Sequence, residues 1–143
     1  MIEDFARKLG IKPGHAVALL NAPSFIGPVL RATLPPEVTL AAGLPEGTQP
    51  DIVLFWPDSE MDLAQAFEGL RWKIKPDGAI WAVIPKKPIA DKQGPRIYFD
   101  RLLAEVLPTG LVDNKTLTFS EEEYGVRFVV RKELRREKPW PEA

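Results

Sequence analysis

The sequence predicts an α/β domain, a three-layer sandwich with a mostly parallel β-sheet between two layers of helix and an antiparallel hairpin at its C-terminal end. Three observations predict it. Residues 16–20, 51–56 and 79–84 ("AVALL", "DIVLFW", "AIWAVI") are apolar almost throughout and do not alternate, as suits strands buried on both faces. Segments with apolar residues at helical spacing lie between them. The last two strand-like segments, 115–120 and 126–132, instead alternate apolar and polar positions around "EEEYG", the pattern of a hairpin with one face in water.

Each element has its own local signal. Ile2, Phe5 and Leu9 share a helical face and Gly10 stops it. Lys12-Pro13-Gly14 has proline second and glycine third, a turn that launches the first strand. Residues 24–34 hold one short helix, interrupted early by Gly27 and Pro28 and ended by Pro35-Pro36. A modest second strand follows at 38–42. The strand at 51–56 stops at Pro57, and a helix then starts with Ser59 as N-cap and Asp62 in capping-box position, carrying Leu63, Phe67, Leu70 and Ile74. Lys75-Pro76-Asp77-Gly78 launches the strand at 79–84. Residues 86–94 read as a polar loop, and 95–107 as a helix with Phe99, Leu102, Leu103 and Val106 on one stripe. The domain is expected to span 1–132, with 133–143 a charged, proline-containing tail.

Composition excludes several classes of function. The 143 residues carry 19 basic and 20 acidic side chains, a net charge of −1, so neither nucleic acid nor a membrane surface is an expected partner. With no cysteine, disulfides, thiol nucleophiles and cysteine-held metals are ruled out. An acidic N-terminus and apolar runs far shorter than the ~20 residues of a membrane helix predict a soluble, cytoplasmic protein. Fifteen prolines, about twice the usual share, lean toward a heat-adapted source.

From residue 51 to 132 the order of strand, helix, "IKPDGAIWAVIPK", helix and hairpin resembles the second half of a class I S-adenosylmethionine-dependent methyltransferase. "LGIKPG", "LLNAP", "IKPDGAIWAVIPKK" and "GLVDNKTLTFSEEEYGVRFVVRK" are similar to a family of short bacterial proteins with a domain of unknown function. The resemblance implies a Rossmann-like, methyltransferase-like fold. It also exposes departures. Where such enzymes have a glycine-rich turn after the first strand, which lets the backbone close on the cofactor, this chain has Asn21-Ala22-Pro23-Ser24-Phe25-Ile26-Gly27. The ribose-binding acid that the resemblance implies falls near Gly43, with Glu46 the nearest carboxylate. Only 28 residues separate Ala22 from Asp51, which leaves no room for a further strand with its own helix.

In open α/β sheets ligands sit at the carboxyl ends of the strands. That crevice is expected to draw on Asn21 and Ser24, Trp56 and Asp58, and the pair Lys86 and Lys87, whose charges suit a small anionic ligand. Asn21 and Asp58 also have ordinary structural uses, in satisfying loop backbone and in helix capping. Glu121 to Glu123 form a hairpin tip whose side chains point apart, so no metal is expected there. His15 begins the first strand, roughly 20 Å from the crevice, and is set aside as a catalyst. No G-x-S-x-G, H-E-x-x-H or Walker sequence occurs. The segment 131–138 is basic, but lacks the aromatics of a single-strand binder; Trp140, between two prolines, suits docking on an apolar groove. The expectation is a non-catalytic binding or interaction module without a cofactor, its partner an anionic ligand or another protein, and an exposed second strand offers an edge for a homodimer. The competing class is a minimal methyltransferase.

Overall fold

The computed structural model describes residues 4–93 and 97–135. Six strands form one sheet: β1 (Ala16–Leu20), β2 (Thr39–Ala42), β3 (Ile52–Phe55), β4 (Ala79–Pro85), β5 (Leu111–Thr118) and β6 (Glu123–Val130). Their order is β2-β1-β3-β4-β6-β5. The first four are parallel, while β6 runs antiparallel to β4 and to β5. The hairpin therefore returns through its second strand, leaving β5 and β2 as edges. Between β2 and β3 there is only loop, in keeping with the short span counted in the sequence.

Helices cover both faces. α1 (Phe5–Lys8) and α2 (Ile26–Arg31) lie on one, α3 (Leu63–Lys73) and α5 (Phe99–Val106) on the other, and α4 (Lys87–Gln93) follows β4. The non-alternating strands now have their reason: in β3, Ile52 and Leu54 pack with Phe5, Leu9 and Leu30, while Val53 and Phe55 pack with Phe67, Leu70 and Leu102. A Rossmann-like α/β sandwich results.

Several expected boundaries move. The N-cap of α3 is Asp62, whose carboxylate accepts from the Gln65 N–H at 3.0 Å, and not Ser59. Residues 57–61 are instead a loop held from outside, since Arg101 of α5 donates to the Ser59 carbonyl at 2.8 Å and the Met61 carbonyl at 3.3 Å. The polar loop expected over 86–94 contains α4, because Pro88 falls in the first helical turn, where its missing N–H costs nothing, and Ala90 is buried. α5 is shorter than expected and ends in a 3₁₀ turn, Leu107–Thr109, closed by Gly110 at φ +98°. Both hairpin strands begin earlier than their alternation suggested, β5 by four residues and β6 by three. After β6 a second 3₁₀ turn, Lys132–Leu134, lets Leu134 pack on the core. Residues 136–143 and Trp140 lie outside the described residues.

Two features fix the frame. At the amino ends of the parallel strands, Asp51 accepts from the Ala16 N–H at 2.8 Å and pairs with Lys75 at 2.9 Å. Its backbone bonds both ways, N–H to the Ala16 carbonyl and carbonyl from the Ala79 N–H. Beside the hairpin, the ring of Phe119 stands among Phe5, Trp56 and Trp81, with centroids 5.0, 6.0 and 6.1 Å away. It sits directly on Gly125, where a Cβ would fall 2.5 Å from the Phe119 ring and 2.9 Å from Trp81.

Asp51→Ala is expected to lower stability by about 2–3 kcal/mol, the scale of a lost charged hydrogen bond at a half-dry site, measured by urea unfolding. Gly125→Ala is expected to cost about 1–3 kcal/mol through overpacking. Gly69→Ala, in open space on α3, is expected to stabilise by up to about 1 kcal/mol.

Candidate functional site

The strand order reverses at β1, which has β2 on one side and β3 on the other. Such a switch point opens a crevice at the carboxyl ends of the strands. Asn21, the residue after β1, occupies it. Its backbone is left-handed, at φ +57°, a conformation asparagine tolerates better than other side chains. Its amide donates to the Trp56 carbonyl at 2.7 Å, tying the end of β1 to the end of β3. The structural use of Asn21 is thus real, and the residue still lines clefts on both sides.

One cleft, of about 370 Å³, lies over the ends of β1, β3 and β4. Trp56, Asp58 and Val83 form its floor and wall, Ile89 of α4 closes one side, and Glu122 and Glu123 reach in from the hairpin. Asp58 also accepts from the Glu60 N–H at 2.9 Å, which shapes the loop. Glu123 is half-buried and takes a bond of 3.4 Å from the Trp56 indole N–H. Burial pushes its carboxyl above the ordinary range; the Trp56 bond opposes this and the nearby charge of Glu122 adds to it. The described lining residues include three carboxylates and no lysine or arginine.

The second cleft, of about 470 Å³, lies between the start of α2 and the end of β2. Asn21, Pro23, Ser24, Gly27, Arg31 and Gly43 are among its walls, and none of them is acidic. Pro23 contributes no N–H. Glu46, the carboxylate nearest in sequence, is exposed and outside the lining.

The sequence-predicted site therefore divides. Asn21, Trp56 and Asp58 meet in the first cleft, while Ser24 faces the second. Lys87 lines a third hollow of about 300 Å³ with Tyr98, Asp100 and Tyr124, and Lys86 lines none of the three. The backbone of Lys86 is engaged, its N–H donating to the Glu122 carbonyl at 2.8 Å and its carbonyl receiving Ile89 and Ala90. Glu122 and Glu123 are the residues that sequence reasoning placed in water. The register Pro85↔Glu123 brings them to the end of β4; an antiparallel return beside that strand was the available signal. His15 stands 3.9 Å from Asp51, at the opposite end of the sheet from the clefts. Among the described residues no group of three or more acidic or histidine side chains is placed to hold a metal, and no helix is long and apolar enough to cross a membrane.

No family model matches the chain, and no curated protein matches it in sequence. Solved structures do match in shape. A SAM-dependent methyltransferase from Aquifex aeolicus aligns with a TM-score of 0.68 at 16% identity, covering 90% of this chain and 89% of that one. The glycopeptide N-methyltransferase MtfA, complexed with sinefungin, aligns at 0.58 and 14%, covering 89% and 84%. A TehB-like SAM-dependent methyltransferase from Corynebacterium glutamicum aligns at 0.55 and 12%, covering 90% and 87%. At these identities the likeness concerns the fold: this chain has the Rossmann-like fold of the SAM-dependent methyltransferases.

Proposed function

We propose that the chain is a binding module on a methyltransferase frame, one that transfers no methyl group and holds its ligand in the cleft over β1, β3 and β4. One observation carries this reading: the corner after β1 is crossed by Asn21, whose amide is already bonded to the Trp56 carbonyl at 2.7 Å. Two residues on, Pro23 adds ring atoms and removes a donor where bare glycine backbone would let an adenosyl group close in. The neighbouring cleft at the end of β2 offers no carboxylate to a ribose. Three carboxylates and a tryptophan in the first cleft favour a ligand rich in hydrogen-bond donors over the small anion suggested by Lys86 and Lys87. The anion reading retains Lys87, in the third hollow beside two tyrosines.

A second reading has support from the fold of the neighbours: a minimal methyltransferase. A thermal scan separates the two, because a ligand that binds only the folded form raises Tm by mass action. S-adenosylmethionine and S-adenosylhomocysteine are expected to leave Tm unchanged. A dose-dependent rise of several degrees, the scale of about 2.7 kcal/mol at a hundredfold excess over Kd, overturns the non-catalytic reading.

Glu123→Gln keeps an acceptor for Trp56 and removes a charge that burial penalises. With the folded-state carboxyl raised, the wild type loses stability as pH climbs from the ordinary carboxylate range, near pH 4, to the raised value. The variant escapes that loss. It is expected to equal the wild type in acid and exceed it near pH 7 by less than about 1 kcal/mol, given solvent screening, as read from paired urea curves.

A further inference from the structure

Away from both clefts, a row of side chains crosses the sheet on the face covered by α1. Trp81 of β4 is opposite Arg127 of β6, which is opposite Lys115 of β5. Two like charges directly opposed on a sheet destabilise it. Lys115 has local company: its ammonium donates to the Lys8 carbonyl at 3.3 Å and lies 5.8 Å from the centre of the Trp81 ring. Arg127 has none. It is half-buried, its Nη2 end reaches the Gly10 turn that closes α1, and its Nε is sealed from solvent with no acceptor. Its side chain forms no hydrogen bond or ion pair with any described residue. Arg135, held by a bond from its Nε to the Val130 carbonyl at 3.0 Å, adds a third cation nearby. Burial first, and then the charge of Arg135, draws the Arg127 guanidinium below its ordinary range. Among the described residues no carboxylate pairs with Lys8, Lys115, Arg127 or Arg135.

We propose that Arg127, Lys115 and Arg135 form a second ligand site, independent of the clefts, that takes a phosphate group on the α1 face of the sheet. The guanidinium presents a fork of donors that matches two oxygens of a tetrahedral oxyanion. A dianion suits this setting better than a single carboxylate, because Arg127 and Lys115 stand opposite each other across the β5–β6 pair, the charge of Arg135 bears on Arg127, and no described carboxylate pairs with any of them. A phosphate there would accept from the two Nη groups of Arg127, which are not sealed as its Nε is, and would relieve the repulsion between the opposed side chains. Lys115, still holding the Lys8 carbonyl, has two further N–H donors to give.

The test is thermal unfolding in chloride buffer, with inorganic phosphate added at constant ionic strength. The wild type is expected to gain a few degrees in Tm with phosphate beyond matched chloride. Arg127→Met is expected to lose that gain, and in chloride alone to melt at or above the wild type, since methionine fills the space without a desolvated charge. Lys115→Met is expected to weaken the response several-fold in the phosphate needed for half effect. No phosphate-specific rise, an undiminished rise in Arg127→Met, or a lower melting point for that variant in chloride overturns the proposal. Because the site shares no residue with the cleft of Asn21 and Trp56, either reading can fail alone.

Discussion

The fold rests on the carboxylate of Asp51. Three parallel strands must start in register before their far ends can converge, and one side chain at their amino ends sets this. Its oxygen holds the first N–H of β1, its own backbone bridges β1 and β4, and Lys75, in the turn that launches β4, neutralises it. Gly78 completes the junction: a Cβ there would meet the Asp51 carbonyl at 2.8 Å, so the turn presses against β3 as only glycine permits. With the amino ends aligned, Leu20 faces Phe55, and Asn21 then comes within bonding distance of the Trp56 carbonyl.

That second junction shapes the chemistry. The junction lies at the corner after the first strand. Here the corner is spanned by a side chain, which trades reach for rigidity. The same link fixes Trp56, whose indole then faces Glu123 from the hairpin. The carboxyl ends of β1, β3 and β4 and the start of β6 thus surround one hollow from four directions. The lining is acidic on the hairpin side, while the described lysines after β4 turn elsewhere.

Much of the fold was legible because burial on both faces leaves a plain mark. The runs "AVALL", "DIVLFW" and "AIWAVI" mark β1, β3 and β4 to within a residue or two, since both faces of these strands are covered by packed helices and, Asp51 apart, their positions are apolar. Local signals failed where two residues offered the same chemistry or where tertiary contacts decided. Ser59 and Asp62 are both good caps, and the choice fell to Asp62 once Arg101 held residues 59–61 as a loop. The polar look of 86–94 concealed α4 because its buried contribution includes a residue as small as Ala90. Glu123 looked like a hairpin tip, yet pairing with Pro85 made it the start of a strand and a wall of the cleft. Arg127 is a polar position of an alternating strand, where the pattern alone points to water; the Gly10 turn that closes α1 comes up against its guanidinium and leaves it half-buried. Asn114, the extra residue where the β5 register shifts, sets Lys115 against it, and no local pattern announces such a bulge.

Phe119 and Gly125 have a consequence of another kind. The aromatic ring occupies the volume that any side chain at position 125 would need, so the two sites share a single space. A side chain at 125 fits without strain only alongside a smaller residue at 119. In descendants of this sequence, a bulkier residue at 125 is expected to follow a slimmer one at 119 rather than precede it.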